Sequence, residues 1–289
     1  MVRVAAILLL AVLAGCSSGP STPGAAAHQL RVLASTSLLA DMAKNVAGER
    51  ATVEPIAPAG VEVEQYDPRP EDAKKVADAD VIFVNGLDLD AWTSGLLRNK
   101  RSGALVVRLT EGLPDIEGNP HMWFDLTLAK RYVEKVREAL AQTDPGGTAA
   151  YAENAARYAA QLDALDAEIK SNVATLPPGR RKLVTSHDAF PYFARAYGFE
   201  IVGFAQPEPG KDPSPAELAA LVETIRAEDV PAIFSEAGVS PRLAETLARE
   251  AGVRTIVSDL PTDSLLQPPA DTFVGLVRVV ADKIVNALK

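Results

Sequence analysis

Leu33-Ala34-Ser35-Thr36-Ser37 and Leu183-Val184-Thr185-Ser186-His187 are two versions of one phrase. Each is a short apolar run closing on hydroxyl residues. Each feeds a helical pattern that ends on a glycine, Gly48 or Gly198, fifteen residues past its leucine. A second pair follows in the same order. Val81-Ile82-Phe83-Val84-Asn85 leads through a helix to Leu105-Val106-Val107-Arg108-Leu109, and Ala232-Ile233-Phe234-Ser235-Glu236 leads through a helix to Thr255-Ile256-Val257-Ser258-Asp259. Apolar runs of this length, alternating with helical segments, read as strands of a parallel sheet. Matched spacing of two elements in the same order predicts an α/β chain of two similar parallel-sheet lobes.

One long helical segment separates the two halves. Tyr151, Ala155, Tyr158, Leu162, Leu165, Ile169, Val173 and Leu176 step by threes and fours and so share one stripe. Asp144-Pro145-Gly146-Gly147 stops what precedes it, and Pro177-Pro178-Gly179 ends it. A helix from Thr148 to Leu176 is roughly 40 Å long at 1.5 Å per residue, enough to lie along both lobes. This predicts an N-terminal lobe over 30–145, a rigid linking helix over 146–177 and a C-terminal lobe over 178–289.

The N-terminus carries a different signal. An apolar run from Val4 to Leu13 follows Arg3 and is too short to span a bilayer. It closes on Leu13-Ala14-Gly15-Cys16, whose small residues before a cysteine resemble a lipobox. Residues 1–15 therefore read as a lipoprotein signal peptide, and Cys16, the only cysteine, as the lipidated residue. Residues 16–29, rich in Ser, Gly, Pro and Ala, read as lipid anchor and flexible spacer. The expected location is extracytoplasmic, tethered to the cell membrane. The net charge of -9 argues against nucleic acid and mildly favours a cationic ligand.

Ligands of an open parallel sheet bind beyond the carboxyl ends of the strands. The loops there hold Glu62 and Glu64, Asn119-Pro120-His121, Ser186-His187-Asp188, and Asp259-Leu260-Pro261. Of three histidines, His28 lies in the spacer, while His121 and His187 fall at strand ends, one in each lobe. Two imidazoles and carboxylates converging from four loops suit a first-row divalent metal. Asp188 and Asp125 are weaker candidates, because each begins a helix, where Asp is an ordinary N-terminal residue. Glu236 also follows a strand and is a candidate base for a competing reading, a zinc-dependent hydrolase. No His-Glu-x-x-His or glycine-rich phosphate loop occurs to support an enzyme.

These motifs resemble the zinc/manganese solute-binding lipoproteins of bacterial metal ABC importers, over nearly the whole mature chain. The matching segments are Pro58-Ala59-Gly60 through Tyr66-Asp67-Pro68-Arg69-Pro70, Asn85-Gly86-Leu87, Asn119-Pro120-His121-Met122-Trp123, Thr185-Ser186-His187-Asp188-Ala189-Phe190 and Asp259-Leu260-Pro261. The resemblance implies two lobes joined by a rigid helix with a metal site in the cleft. It implies a non-enzymatic binding protein, a monomer, that captures a divalent transition metal as cargo and delivers it to an ABC permease. The implied ligands are Glu64, His121, His187 and Asp259, with Glu62, Asp188 and Glu236 as supporting or alternative ligands. Glu64 stands where the family has histidine, and Asn119 where it has aspartate. No histidine-rich insert lies between Glu111 and Pro120. Two histidines, a glutamate and an aspartate resemble the manganese-binding composition, yet zinc binds such donors tightly. Zinc is therefore expected as the favoured cargo and manganese as the alternative. Some members of the family are also called surface adhesins, a role that no residue here supports.

Overall fold

The computed structural model describes residues 29–206, 211–237 and 241–289. The expected signal peptide 1–15, Cys16 and His28 lie outside the described residues. The N-terminal half opens with β1 (Leu30–Ala34), α1 (Ser37–Ala47) and β2 (Ala51–Pro55), then α2 (Pro70–Asp78) and β3 (Val81–Val84). A short α3 (Thr93–Leu96), β4 (Leu105–Arg108) and α4 (Leu126–Thr143) complete it. The four strands are parallel, in the order β2-β1-β3-β4.

The C-terminal half runs β5 (Lys182–Thr185), α6 (Pro191–Tyr197), β6 (Glu200–Phe204), α7 (Pro215–Ala227), β7 (Ala232–Glu236), α8 (Pro241–Ala251), β8 (Thr255–Leu260) and α9 (Phe273–Ala287). β5 pairs with β6 and β7 with β8, both in parallel, and β5 lies beside β7. The spatial order β6-β5-β7-β8 therefore repeats β2-β1-β3-β4, which is the duplication read from the sequence. Its two glycines do the same job in both halves. Gly48 and Gly198 close α1 and α6 at φ 58° and 74°, and their N–H groups donate to the carbonyls of Lys44 and Ala194. Side chains with a Cβ rarely adopt this left-handed conformation.

Between the halves runs α5 (Thr148–Ala174), 27 residues and about 40 Å long. Its buried stripe is Tyr151, Ala155, Tyr158, Leu162, Leu165, Ile169 and Val173. It packs on α1 and α4 of the first half and on α9 of the second. The main core is continuous across the junction, from Val32, Leu39 and Tyr132 through Leu162 to Phe190, Phe273 and Val280. Two smaller cores lie on the outer faces. One is built on Leu33, Val76 and Ile82, the other on Val184, Val222, Ile233 and Leu247. No helix among the described residues is long and apolar enough to cross a membrane.

Candidate metal centre

The carboxyl ends of both sheets face each other at the junction, and the predicted loops meet there. Donor atoms of Glu64, His121 and His187 lie within 4.8 Å of one another. The two histidines are almost fully buried, and their Nε2 atoms are 3.2 Å apart.

His121 is placed from the N-terminal half. Its loop is held by Asn85, whose Nδ2 donates to the Pro120 carbonyl at 3.1 Å, while Tyr132 donates to Asn85 Oδ1 at 3.0 Å. The next residue, Gly86, has φ 93°, and a Cβ there would meet Thr110 Oγ1 at 2.7 Å. Asn119 Oδ1 accepts from the His121 backbone N–H and lies 3.0 Å from His121 Nδ1. That contact turns Nε2 into the site. Glu64 follows Val63, which is fully buried and whose carbonyl accepts from Trp92 Nε1 at 2.9 Å.

His187 comes from the end of β5. Its Nδ1 lies 2.6 Å from Glu236 Oε2, and its backbone N–H donates to Glu236 Oε1 at 3.0 Å. The Glu236 N–H in turn donates to Ser186 Oγ at 3.2 Å, and Thr262 donates to Glu236 Oε2. Glu236 therefore orients His187 from behind rather than reaching the centre itself, a common arrangement for a histidine that serves as a ligand.

One expectation needs correction. Asp259 is not at the centre. Its side chain is exposed, its φ is 60°, and its carbonyl accepts from Lys283 Nζ at 2.8 Å. The sequence places Asp259-Leu260-Pro261 in the loop beyond the strand, but β8 continues to Leu260, which registers with Glu236. The loop into the cleft therefore starts two residues later and delivers Asp263. Asp263 Oδ1 is 3.2 Å from His121 Nε2, and Oδ2 is 3.7 Å from His187 Nε2. Oδ1 is buried and accepts no hydrogen bond. The available signal was Pro261-Thr262-Asp263-Ser264-Leu265, an acid between two hydroxyl residues and bounded by apolar ones. The loop is stitched to the opposite half: Ser264 Oγ accepts from the Gly60 N–H at 2.8 Å, and the Leu265 N–H donates to Ser37 Oγ at 3.0 Å.

Of the supporting candidates, Glu62 lines a 270 Å³ cavity with Gly60, Thr262, Asp263 and Ser264, beside the histidines. Asp188 accepts from Asn119 Nδ2 through its carbonyl and Oδ2. Asp125 is the helix cap it was read as, accepting from the Thr127 N–H.

The charges are strongly coupled. Burial, then the Asp263 carboxylate, pushes Glu62 up to about 7 and raises Glu64 as well. Burial alone depresses the His187 imidazole, but the Glu236 hydrogen bond and the nearby acids carry it up to about 10. Burial opposes ionisation of Asp263, but His121 and His187 prevail and hold its carboxyl below the usual range. An enclosed, acid-rich nest with two imidazole nitrogens and an unbonded buried oxygen suits a cation with mixed N/O preference.

Fold and site together define a two-lobed binding protein with one linking helix and a small polar nest at the junction. Residues 32–287 match the family described as "ZnuA: Zinc-uptake complex component A periplasmic", and the chain belongs to that family. The manganese-binding lipoprotein MntA of Halalkalibacterium halodurans is 33% identical over 98% of this chain and 96% of its own. The iron ABC transporter substrate-binding lipoprotein MtsA of Streptococcus pyogenes is 30% identical over 98% and 96%. Among solved structures, a manganese-bound periplasmic metal-binding protein from Candidatus Liberibacter asiaticus covers 90% of this chain and 100% of its own, at TM-score 0.83 and 30% identity. The periplasmic zinc-binding protein TroA from Treponema pallidum covers 90% and 99%, at TM-score 0.82 and 31% identity.

Proposed function

We propose that the chain captures one divalent first-row transition metal outside the cytoplasmic membrane, through Glu64, His121, His187 and Asp263, and passes it to an ABC permease. The observation that carries this reading is the buried Asp263 carboxylate, with Oδ1 3.2 Å from His121 Nε2 and Oδ2 3.7 Å from His187 Nε2, beside the cluster of Glu64 and the two histidines. Relatives named for manganese, iron and zinc support the metal class. Two carboxylates add oxygen donors and, if bidentate, allow more than four contacts, which suits manganese or iron better than three histidines would, and relatives named for manganese weigh the same way against the zinc expected from the sequence. The Irving–Williams order makes zinc the tighter ligand of the isolated protein. Binding rather than hydrolysis is supported by Glu236, the candidate base, whose two oxygens are engaged by His187. Cys16 is the proposed lipid anchor and the protein a monomer. Fractionation of cells making Cys16→Ser tests the anchor, and normal lipid labelling of that variant refutes it.

The deciding experiment for function is elemental analysis of protein purified without chelator, followed by dye-competition titration. One metal per chain is expected, with severe loss of affinity in His121→Ala and in His187→Ala. A parent that binds no zinc or manganese, or either variant titrating like the parent, refutes the assignment.

A further inference from the structure

Asn119 touches both halves of the molecule through one amide. The backbone N–H of His121 can only donate, so the atom receiving it at 3.0 Å is the amide oxygen. The same oxygen faces His121 Nδ1 at 3.0 Å. The other end, Nδ2, faces two oxygens of the opposite half, the Asp188 carbonyl at 2.6 Å and Asp188 Oδ2 at 3.2 Å. Asp188 directly follows His187. The Asn119 carbonyl also accepts from Tyr192 on α6 at 2.9 Å, and Tyr192 accepts from the Ile116 N–H at 2.9 Å.

We propose that Asn119 is a positioning residue that couples the two histidine loops, so that His121 and His187 hold the metal as a pair. The inference rests on the metal-binding reading above. An amide is required because one end must accept and the other must donate. A carboxylate at this position would keep the acceptor for His121 but present a second acid to the Asp188 carbonyl and carboxylate. The tie to the His187 loop would turn from attraction to repulsion. The aspartate expected here from the family resemblance would make the first contact and forgo the second.

Asn119→Asp and Asn119→Ala separate the two ends of the amide. The first measurement is hydrogen exchange of the metal-free protein, which needs no metal to be informative. Asn119→Asp is expected to raise exchange in both 116–121 and 188–192. The second is zinc release into excess chelator, expected to quicken on the order of 10-fold in Asn119→Asp and further in Asn119→Ala, which also frees the His121 ring. Exchange raised only in 116–121, or zinc leaving Asn119→Asp at the parent's rate, overturns the proposal. If the parent binds no zinc, the functional reading falls, while the exchange pattern still decides whether Asn119 ties the halves together.

Discussion

Asp263→Asn and Asp259→Asn remove the same charge four residues apart, and only one should matter. Asp263 is 4% exposed, with its oxygens 3.2 and 3.7 Å from the two imidazole Nε2 atoms. Breaking a buried, charge-paired contact by removing one partner costs about 3–5 kcal/mol. At 1.4 kcal/mol per tenfold, zinc affinity in Asp263→Asn should fall roughly 100- to 5,000-fold. The amide is nearly the same size, so little of the loss should come from packing. Asp259 is exposed, and its charge should contribute no more than about 1 kcal/mol, or roughly 5-fold. Competition titration against a chelating dye, at one pH and salt concentration for both variants, measures the difference. Equal affinities in the two variants, or the larger loss in Asp259→Asn, would refute the placement of the fourth donor.

Three further outcomes follow from the same geometry. Glu236→Gln keeps the size of the group behind His187 but removes its charge, and should weaken zinc on the order of 10- to 100-fold while the protein still melts cooperatively; unchanged affinity would show that orientation of His187 does not depend on it. Glu64→His should raise zinc preference over manganese in paired titrations, and unchanged selectivity would place Glu64 outside the ligand set. Glu62 and His187 both bind protons more tightly in the folded metal-free protein than in the unfolded chain, with values near 7 and 10. Their stabilising contributions are fully present below the unfolded values, and are lost as pH rises through about 7 for Glu62 and about 10 for His187. Calorimetry in chelator should therefore show the metal-free Tm falling from about pH 5 to 10, and a rising Tm over that range would contradict the coupling.

The architecture was legible in the sequence wherever one element repeats another. Leu33 and Leu183, with Gly48 and Gly198 at equal distance, carried the strand, helix and cap of both halves. The stripe from Tyr151 to Val173 carried α5, because a buried helix face leaves a periodic trace. The two histidines were legible because the chain has so few. Asp263 was not, because locating it required the end of β8, and strand ends leave no periodic mark. Ser258 and Asp259 look like a turn, yet pairing with β7 carries the strand on to Leu260. Asn119 stands in the motif that matches Asp-Pro-His, and its second contact was hidden because Asp188 approaches only in three dimensions.

Asp263 belongs by chain order to the C-terminal half, but its loop is fastened to the other side. Ser264 and Leu265 are bonded to Gly60 and Ser37, and the Phe273 N–H donates to Asp41 Oδ2 at 3.0 Å. The loop that carries Asp263 therefore bridges the two halves. Glu64 and His121 belong to the first half and His187 to the second, while the Asp263 loop is bonded to both, through Ser264 and Leu265 on one side and through Thr262 to Glu236 on the other. A partner that pried the halves apart would have to part the two imidazoles and break one of the two sets of bonds that hold this loop.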